Sequence, residues 1–112
     1  FWATWCAPCL EEIPSLEYLA RQLNQKPGLP QLYAISEDES IAEVPKLFST
    51  LEHSISFHSL HDPTGQLAHA MGTSKFPETY WLNSKGEVRY KWIGPQNWLS
   101  SEVLAILAAR GQ

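Results

Sequence analysis

The sequence lacks the features that mark nucleic-acid-binding and membrane-spanning chains. Its eight lysines and arginines are scattered among twelve acidic residues, and the formal net charge is −4. A protein that binds a phosphate backbone needs clustered positive charge, so nucleic acid is not an expected partner. The longest apolar runs are far shorter than the roughly 20 residues that span a bilayer. Any membrane anchor would therefore have to lie upstream of Phe1.

Internal repeats, low-complexity tracts and interdomain linkers are also missing. The 112 residues are 44% hydrophobic and 18% charged, which is the balance of an ordinary globular chain with enough apolar side chains for a core. We therefore expect residues 1–112 to form a single domain.

Cysteine is scarce, and both cysteines lie in the opening stretch FWATWCAPCLEEIP. Cys6 and Cys9 could form a redox dithiol, a structural disulfide, or half of a zinc site completed by His58 and His61. A three-residue spacing closes too small a loop to stabilise a fold much. The histidines come with no second C-x-x-C and no helical H-x-x-x-H spacing. The pattern therefore favours redox chemistry without a bound metal.

Hydrophobic periodicity switches repeatedly between helical and extended along the chain. It predicts the order helix, strand, helix, strand, short helix, strand, strand, helix. The last two strands, ETYWLN and EVRYKWIG, form a hairpin joined through SKG. This order indicates an α/β sheet covered by helices on both faces. The residues before the first helix, Phe1 to Ala3, look like the end of a strand, so we expect a truncated N-terminal strand and a longer parent chain.

Three stretches together resemble the thioredoxin superfamily, specifically its TlpA/ResA/DsbE-like extracytoplasmic branch. They are FWATWCAPCLEEIP near the start, DPTGQLAHAMG in the middle and FPETYWLNSKGEV late in the chain. The resemblance covers essentially the whole sequence. It implies a thioredoxin-like fold with a central mixed β-sheet, and a thiol-disulfide oxidoreductase that reduces or exchanges disulfides of partner proteins.

The same resemblance implies a biological setting. Cytochrome c maturation and thiol quality control are the expected processes, in the periplasm or tethered to the outer face of a membrane. The family needs no metal or organic cofactor. A thiol donor would supply the electrons, and we expect a monomer.

The resemblance assigns different tasks to the two cysteines. Cys6 would be the nucleophile, since the free N–H groups and dipole at the amino end of a helix favour a thiolate. Cys9, one turn further on, would attack the mixed disulfide and release the substrate. Ala7 and Pro8 would face the substrate. They include no histidine to stabilise the thiolate further, which indicates a reductant or isomerase-like potential rather than that of a strong oxidant.

A second group of predicted site residues surrounds the cysteines. In thioredoxin-like proteins the proline corresponding to Pro77 has a cis peptide bond and lies against the cysteine pair, where the preceding backbone can pair with an extended substrate. The alternative is an ordinary proline that opens a strand. Phe76 is bulkier than the small or β-branched residue common at its position, which affects the width of the substrate groove. Trp5 would form an apolar platform beside Cys6.

Glu12 allows two interpretations. It follows Cys9 by three positions, so both side chains lie on one helix face. It resembles an acidic residue that several extracytoplasmic members keep near the active site. A partly buried carboxylate there would disfavour the neighbouring thiolate and could relay a proton. The alternative is an exposed helix glutamate like Glu11.

Two other functions remain open for this fold. A thiol peroxidase would resemble it, although the peroxidatic cysteine usually follows a different motif. A non-catalytic binding module with a thioredoxin fold is the second alternative.

Overall fold

The computed structural model describes residues 1–52 and 54–110. His53, to which the sequence assigns no function, and Gly111, expected to end the last helix, lie outside the described residues. Eight elements follow in the predicted order. They are α1 (Ala7–Leu23), β1 (Tyr33–Ser36), α2 (Glu43–Phe48), β2 (His58–His61), α3 (Gln66–Met71), β3 (Glu78–Leu82), β4 (Val88–Ile93) and α4 (Ser101–Arg110).

The sheet consists of two ladders joined through the start of the chain. Strand β1 pairs in parallel with β2, and β3 pairs antiparallel with β4. Between the two ladders, Trp2 forms a parallel bridge to Ser36 of β1. On its other side, Phe1 and Glu78 exchange backbone hydrogen bonds of 2.7 and 3.3 Å, the pattern of an antiparallel pair. The spatial order is therefore β2, β1, residues 1–3, β3, β4, which confirms the predicted mixed sheet.

Helix α1 contributes to two buried apolar clusters. Its first half joins the start of the chain and α2 in a cluster around the cysteines, formed by Trp2, Ala3, Cys6, Cys9, Ile13 and Val44. Its second half packs with β4 and α4 in another cluster, formed by Leu19, Trp92, Trp98 and Val103. The cysteine pair is therefore part of the core. Within the described part of the chain, no helix has the length and apolar character needed to cross a bilayer.

Candidate active site

The two cysteines form a disulfide where the first helix begins. The Cα atoms of Cys6 and Cys9 are 5.3 Å apart. Cys6 is the N-cap residue of α1, with extended backbone angles of φ −97° and ψ 104°. Pro8 lies in the first turn, where its missing N–H removes no bond from the helix. The sequence thus starts a helix directly after the first cysteine.

The amino end of α1 directs its electrostatic field at the first sulfur. The backbone N–H of Cys9 donates to the Sγ of Cys6 over 3.3 Å. In the reduced protein this N–H and the helix dipole stabilise negative charge on the same sulfur. Cys6 is 7% exposed and Cys9 is 1% exposed. Of the two sulfurs, that of Cys6 is therefore the more accessible to an incoming partner.

The residue before the predicted cis proline lies beside the first cysteine. The Phe76–Pro77 peptide bond is cis, and Pro77 is fully buried. The carbonyl oxygen of Phe76 lies 3.6 Å from the Sγ of Cys6. Cys6 and Phe76 are therefore neighbours in the fold, although they lie 70 positions apart in the chain.

The predicted substrate-facing residues surround the first cysteine. Trp5 is 68% exposed, and its ring meets the ring of Phe76 edge-on at a centroid distance of 5.9 Å. Phe76 is half-buried and packs against the cysteine cluster. Ala7 and Pro8 are exposed on the first turn of α1. Trp5 and Phe76 therefore present an aromatic ledge beside Cys6.

Glu12 is buried, whereas its neighbour Glu11 is exposed. Only 5% of Glu12 is accessible to solvent. Its Oε2 accepts a hydrogen bond of 2.9 Å from the indole nitrogen of Trp98 and one of 3.1 Å from the backbone N–H of Gln96. Burial raises the pKa of Glu12, and the two hydrogen bonds offset this effect only in part. The exposed-glutamate interpretation does not describe this residue, and its role in proton transfer remains a prediction.

Sequence reasoning missed the partners of Glu12. Trp98 and Gln96 lie in the loop between β4 and α4, 86 and 84 residues after Glu12. The backbone N–H of Trp98 also donates to the hydroxyl of Ser15 on α1 over 3.2 Å. The spacing of residues within a helix or strand does not predict contacts between residues so far apart in the sequence.

A buried carboxylate also fixes the turn before the cysteines. Asp38 is 2% exposed and accepts from the Thr4 backbone N–H at 3.0 and 3.1 Å and from the Thr4 hydroxyl at 2.6 Å. The hydroxyl of Ser36 donates to the same carboxylate over 2.6 Å. Asp38 belongs to the acidic stretch EDES, residues 37–40, whose local sequence predicts no function, and it holds the segment that leads into Cys6.

The histidines considered as zinc ligands lie elsewhere. His58 stacks on the ring of Tyr33 at 4.7 Å, and Nε2 of His61 lies 2.6 Å from the carbonyl oxygen of Asp38. Within residues 1–52 and 54–110, no three His, Cys, Asp or Glu side chains group as metal ligands. The structure does not bring these histidines together with the cysteines.

Comparison with known proteins agrees with the family resemblance of the sequence. The Redoxin family model matches residues 1–107. The thiol:disulfide interchange protein DsbE homolog of Paracoccus denitrificans is 33% identical over 96 residues, which are 85% of this chain and 49% of that protein. The thiol-disulfide oxidoreductase ResA of Oceanobacillus iheyensis is 31% identical over 88 residues, 79% of this chain and 44% of that protein. The chain thus spans about half the length of these curated relatives.

A solved structure supports the fold. A crystal structure from Chlorobium tepidum, described as a thiol:disulfide interchange protein DsbE, superposes with a TM-score of 0.85 at 21% identity. The match covers 100% of this chain and 77% of the other. At this identity the likeness establishes the thioredoxin-like fold.

Proposed function

Because this chain belongs to the Redoxin family, in its DsbE and ResA branch, we propose that it is a thiol-disulfide oxidoreductase acting on partner proteins. One observation carries the proposal. A disulfide-forming pair caps the amino end of α1, and its outer sulfur lies 3.6 Å from the carbonyl that precedes a buried cis proline. A helix end that stabilises a thiolate, placed beside backbone that an extended chain can pair with, suits disulfide exchange.

The first step uses the sulfur at the helix end. In the reduced protein the Cys6 thiolate attacks one sulfur of the partner's disulfide, and the partner's S–S bond breaks. The other partner sulfur leaves with the electron pair as a thiolate and takes up a proton. A mixed disulfide then joins Cys6 to the partner.

The second step uses the buried sulfur. Cys9 loses its proton and attacks the Sγ of Cys6. The internal disulfide forms as the bond between Cys6 and the partner breaks, and the second partner sulfur leaves as a thiolate that takes up a proton from solvent. We assign the proton of Cys9 to Glu12, because a carboxylate whose pKa is raised by burial is a better proton acceptor than a solvated one. Two electrons thus pass to the partner, and a thiol donor must reduce the Cys6–Cys9 pair again.

The surroundings of Cys6 suggest how a partner docks. An extended segment next to the partner's cysteine would pair with the backbone at Phe76, beside Pro77. Its apolar side chains would lie on the ledge of Trp5 and Phe76, and Ala7 and Pro8 would leave room at the turn. Large apolar rings with exposed faces suit such contacts.

The setting follows from the family resemblance. We propose that the domain, residues 1–112, works outside the cytoplasm as a monomer, in cytochrome c maturation or thiol quality control. The names of the DsbE and ResA relatives support a disulfide-exchange role of this kind.

Trapping the mixed disulfide tests the mechanism. Cys9→Ser keeps the first step and removes the thiol that completes the second, so adducts with partner proteins should accumulate. Cys6→Ser is the matched control and should trap little, because Cys9 is 1% exposed. The measurement is non-reducing electrophoresis after exposure to a disulfide-bonded protein, with mass spectrometry of each adduct. Equal trapping by both variants, or none by Cys9→Ser, contradicts the proposed roles.

Two further assays separate the alternatives. Rapid consumption of hydrogen peroxide by the reduced protein would indicate a thiol peroxidase. Failure of the wild-type protein to reduce a model protein disulfide would indicate a non-catalytic binding module.

A further inference from the structure

The buried Glu12 carboxylate is held from one side only. Within the described ranges, 1–52 and 54–110, its two hydrogen bonds both end on Oε2, from Trp98 and from Gln96. Trp98 is 2% exposed, so its indole N–H has a fixed position in the core. The loop that carries it is tied to α1 a second time, through the hydroxyl of Ser15. That hydroxyl in turn donates to the Glu12 carbonyl over 3.2 Å.

We propose that Trp98 is a positioning residue for the proton transfer between Cys9 and Glu12. The backbone N–H of Gln96 is the second donor that holds the Glu12 carboxylate. This inference depends on the proposed function, because it gives Glu12 a task in the second exchange step. Trp98 and Gln96 occupy Oε2, so the proton is taken up and released at Oε1. The indole N–H thereby sets both the orientation of the carboxylate and its proton affinity.

A surface cavity offers a route for that proton. It has a volume of about 310 Å³, and Glu12, Ser15, Gln96 and Asn97 are among the residues that line it. An open surface cavity of this size, which several polar side chains line, is accessible to water. A proton on Glu12 can therefore exchange with solvent through this opening, without passing the sulfur face where the partner is bound.

The surrounding charges are few. Glu11 lines the same cavity. Cys9 lies on the same helix face. A hydrogen bond to a carboxylate stabilises its ionised form, so removing the Trp98 N–H should raise the proton affinity of Glu12. The loss of one such bond corresponds to a shift of about one to two pH units.

The test compares two tryptophan variants of the purified protein. Trp98→Phe removes the indole N–H but keeps an aromatic ring in the core. Trp92→Phe is the matched control, because Trp92 is 6% exposed and packs edge-on against Trp98 at 5.1 Å. We measure the pH profile of reduction of a model protein disulfide. The Glu12-dependent inflection should move to higher pH by about one to two units in Trp98→Phe and stay in place in Trp92→Phe.

A second measurement does not depend on the folding of either variant. The indole ¹H–¹⁵N signal of Trp98, assigned in the reduced wild-type protein, should titrate with the same inflection. It should lose this inflection in Glu12→Gln, because the carboxylate that accepts from Trp98 is then replaced by an amide that does not ionise. A Trp98 signal that does not titrate in the wild type, or equal shifts of the activity profile in both tryptophan variants, overturns the proposal.

The outcomes separate this inference from the proposed function. If Cys9→Ser traps partners but the Trp98→Phe profile matches the wild type, disulfide exchange stands and the positioning role is wrong. If neither cysteine variant traps a partner, the proposed function fails, and the positioning role fails with it.

Discussion

Replacing Glu12 by glutamine tests whether a buried charge controls the second cysteine. The substitution preserves the shape of the side chain and an oxygen that can accept from Trp98, so the fold should persist. Cβ atoms three positions apart on a helix are about 5–6 Å from each other. At about 6 Å, two unit charges interact with about 0.7 kcal/mol in water and about 2.8 kcal/mol at an effective dielectric constant of about 20.

These energies give the expected shift in the pKa of the neighbouring thiol. One pKa unit corresponds to about 1.4 kcal/mol, so an ionised Glu12 opposes ionisation of the neighbouring thiol by about 0.5 to 2 units. Removing the charge therefore lowers the midpoint of the Cys9 thiol titration by that amount. Because the two groups are coupled, the measured midpoints belong to the pair.

The assay is ultraviolet thiolate absorbance of the reduced protein across a pH series. Cys6→Ser simplifies the titration to one thiol, and Glu12→Gln is introduced in that background. Glu11→Gln is the matched control, since Glu11 is exposed on the same turn. Superimposable curves with and without Glu12, or equal shifts in the two glutamine variants, would refute the assignment of Glu12 to the site.

Three further predictions concern the rest of the molecule. On alkylation of the reduced protein, Cys6 should be modified faster than Cys9 at every pH, as followed by mass spectrometry; faster labelling of Cys9 would reverse their roles. Burial, reinforced by neighbouring Asp62, raises the pKa of Glu37 from its ordinary 4.5 to about 7. The stability that Glu37 contributes is therefore complete below pH 4.5 and lost as the pH rises through 7. The melting temperature should fall across this window, and Glu37→Gln should remove that part of the fall; an unchanged pH dependence would contradict it. Finally, Trp5→Ala should lower kcat/KM for a protein disulfide while changing the free energy of unfolding by less than about 0.5 kcal/mol, because the side chain is 68% exposed. An equal loss with a small aromatic disulfide would argue against a docking role.

Short-range sequence patterns were sufficient to predict the order of the helices and strands and part of the site. The helical spacing after Cys9 and the alternation in the last two strands reflect geometries that repeat within a few residues. Cys6 and Cys9 could be paired for the same reason, since three positions on a helix bring two side chains to one face. The prediction that Pro77 lies near the cysteines came from the family resemblance, because the contact between Phe76 and Cys6 joins residues 70 positions apart in the chain.

Only the tertiary structure decided the environment of the buried carboxylates. The local pattern left open whether Glu12 is exposed like Glu11, yet Glu12 accepts from Trp98, a residue 86 positions away. Asp38 similarly accepts a hydrogen bond from Thr4, which lies 34 positions earlier in the chain. By itself, the sequence determined which segments form helices and strands and where a dithiol lies, because these depend on local geometry. Burial and hydrogen-bond partners, which set the proton affinity of a carboxylate, depend on contacts that form only when distant segments pack together.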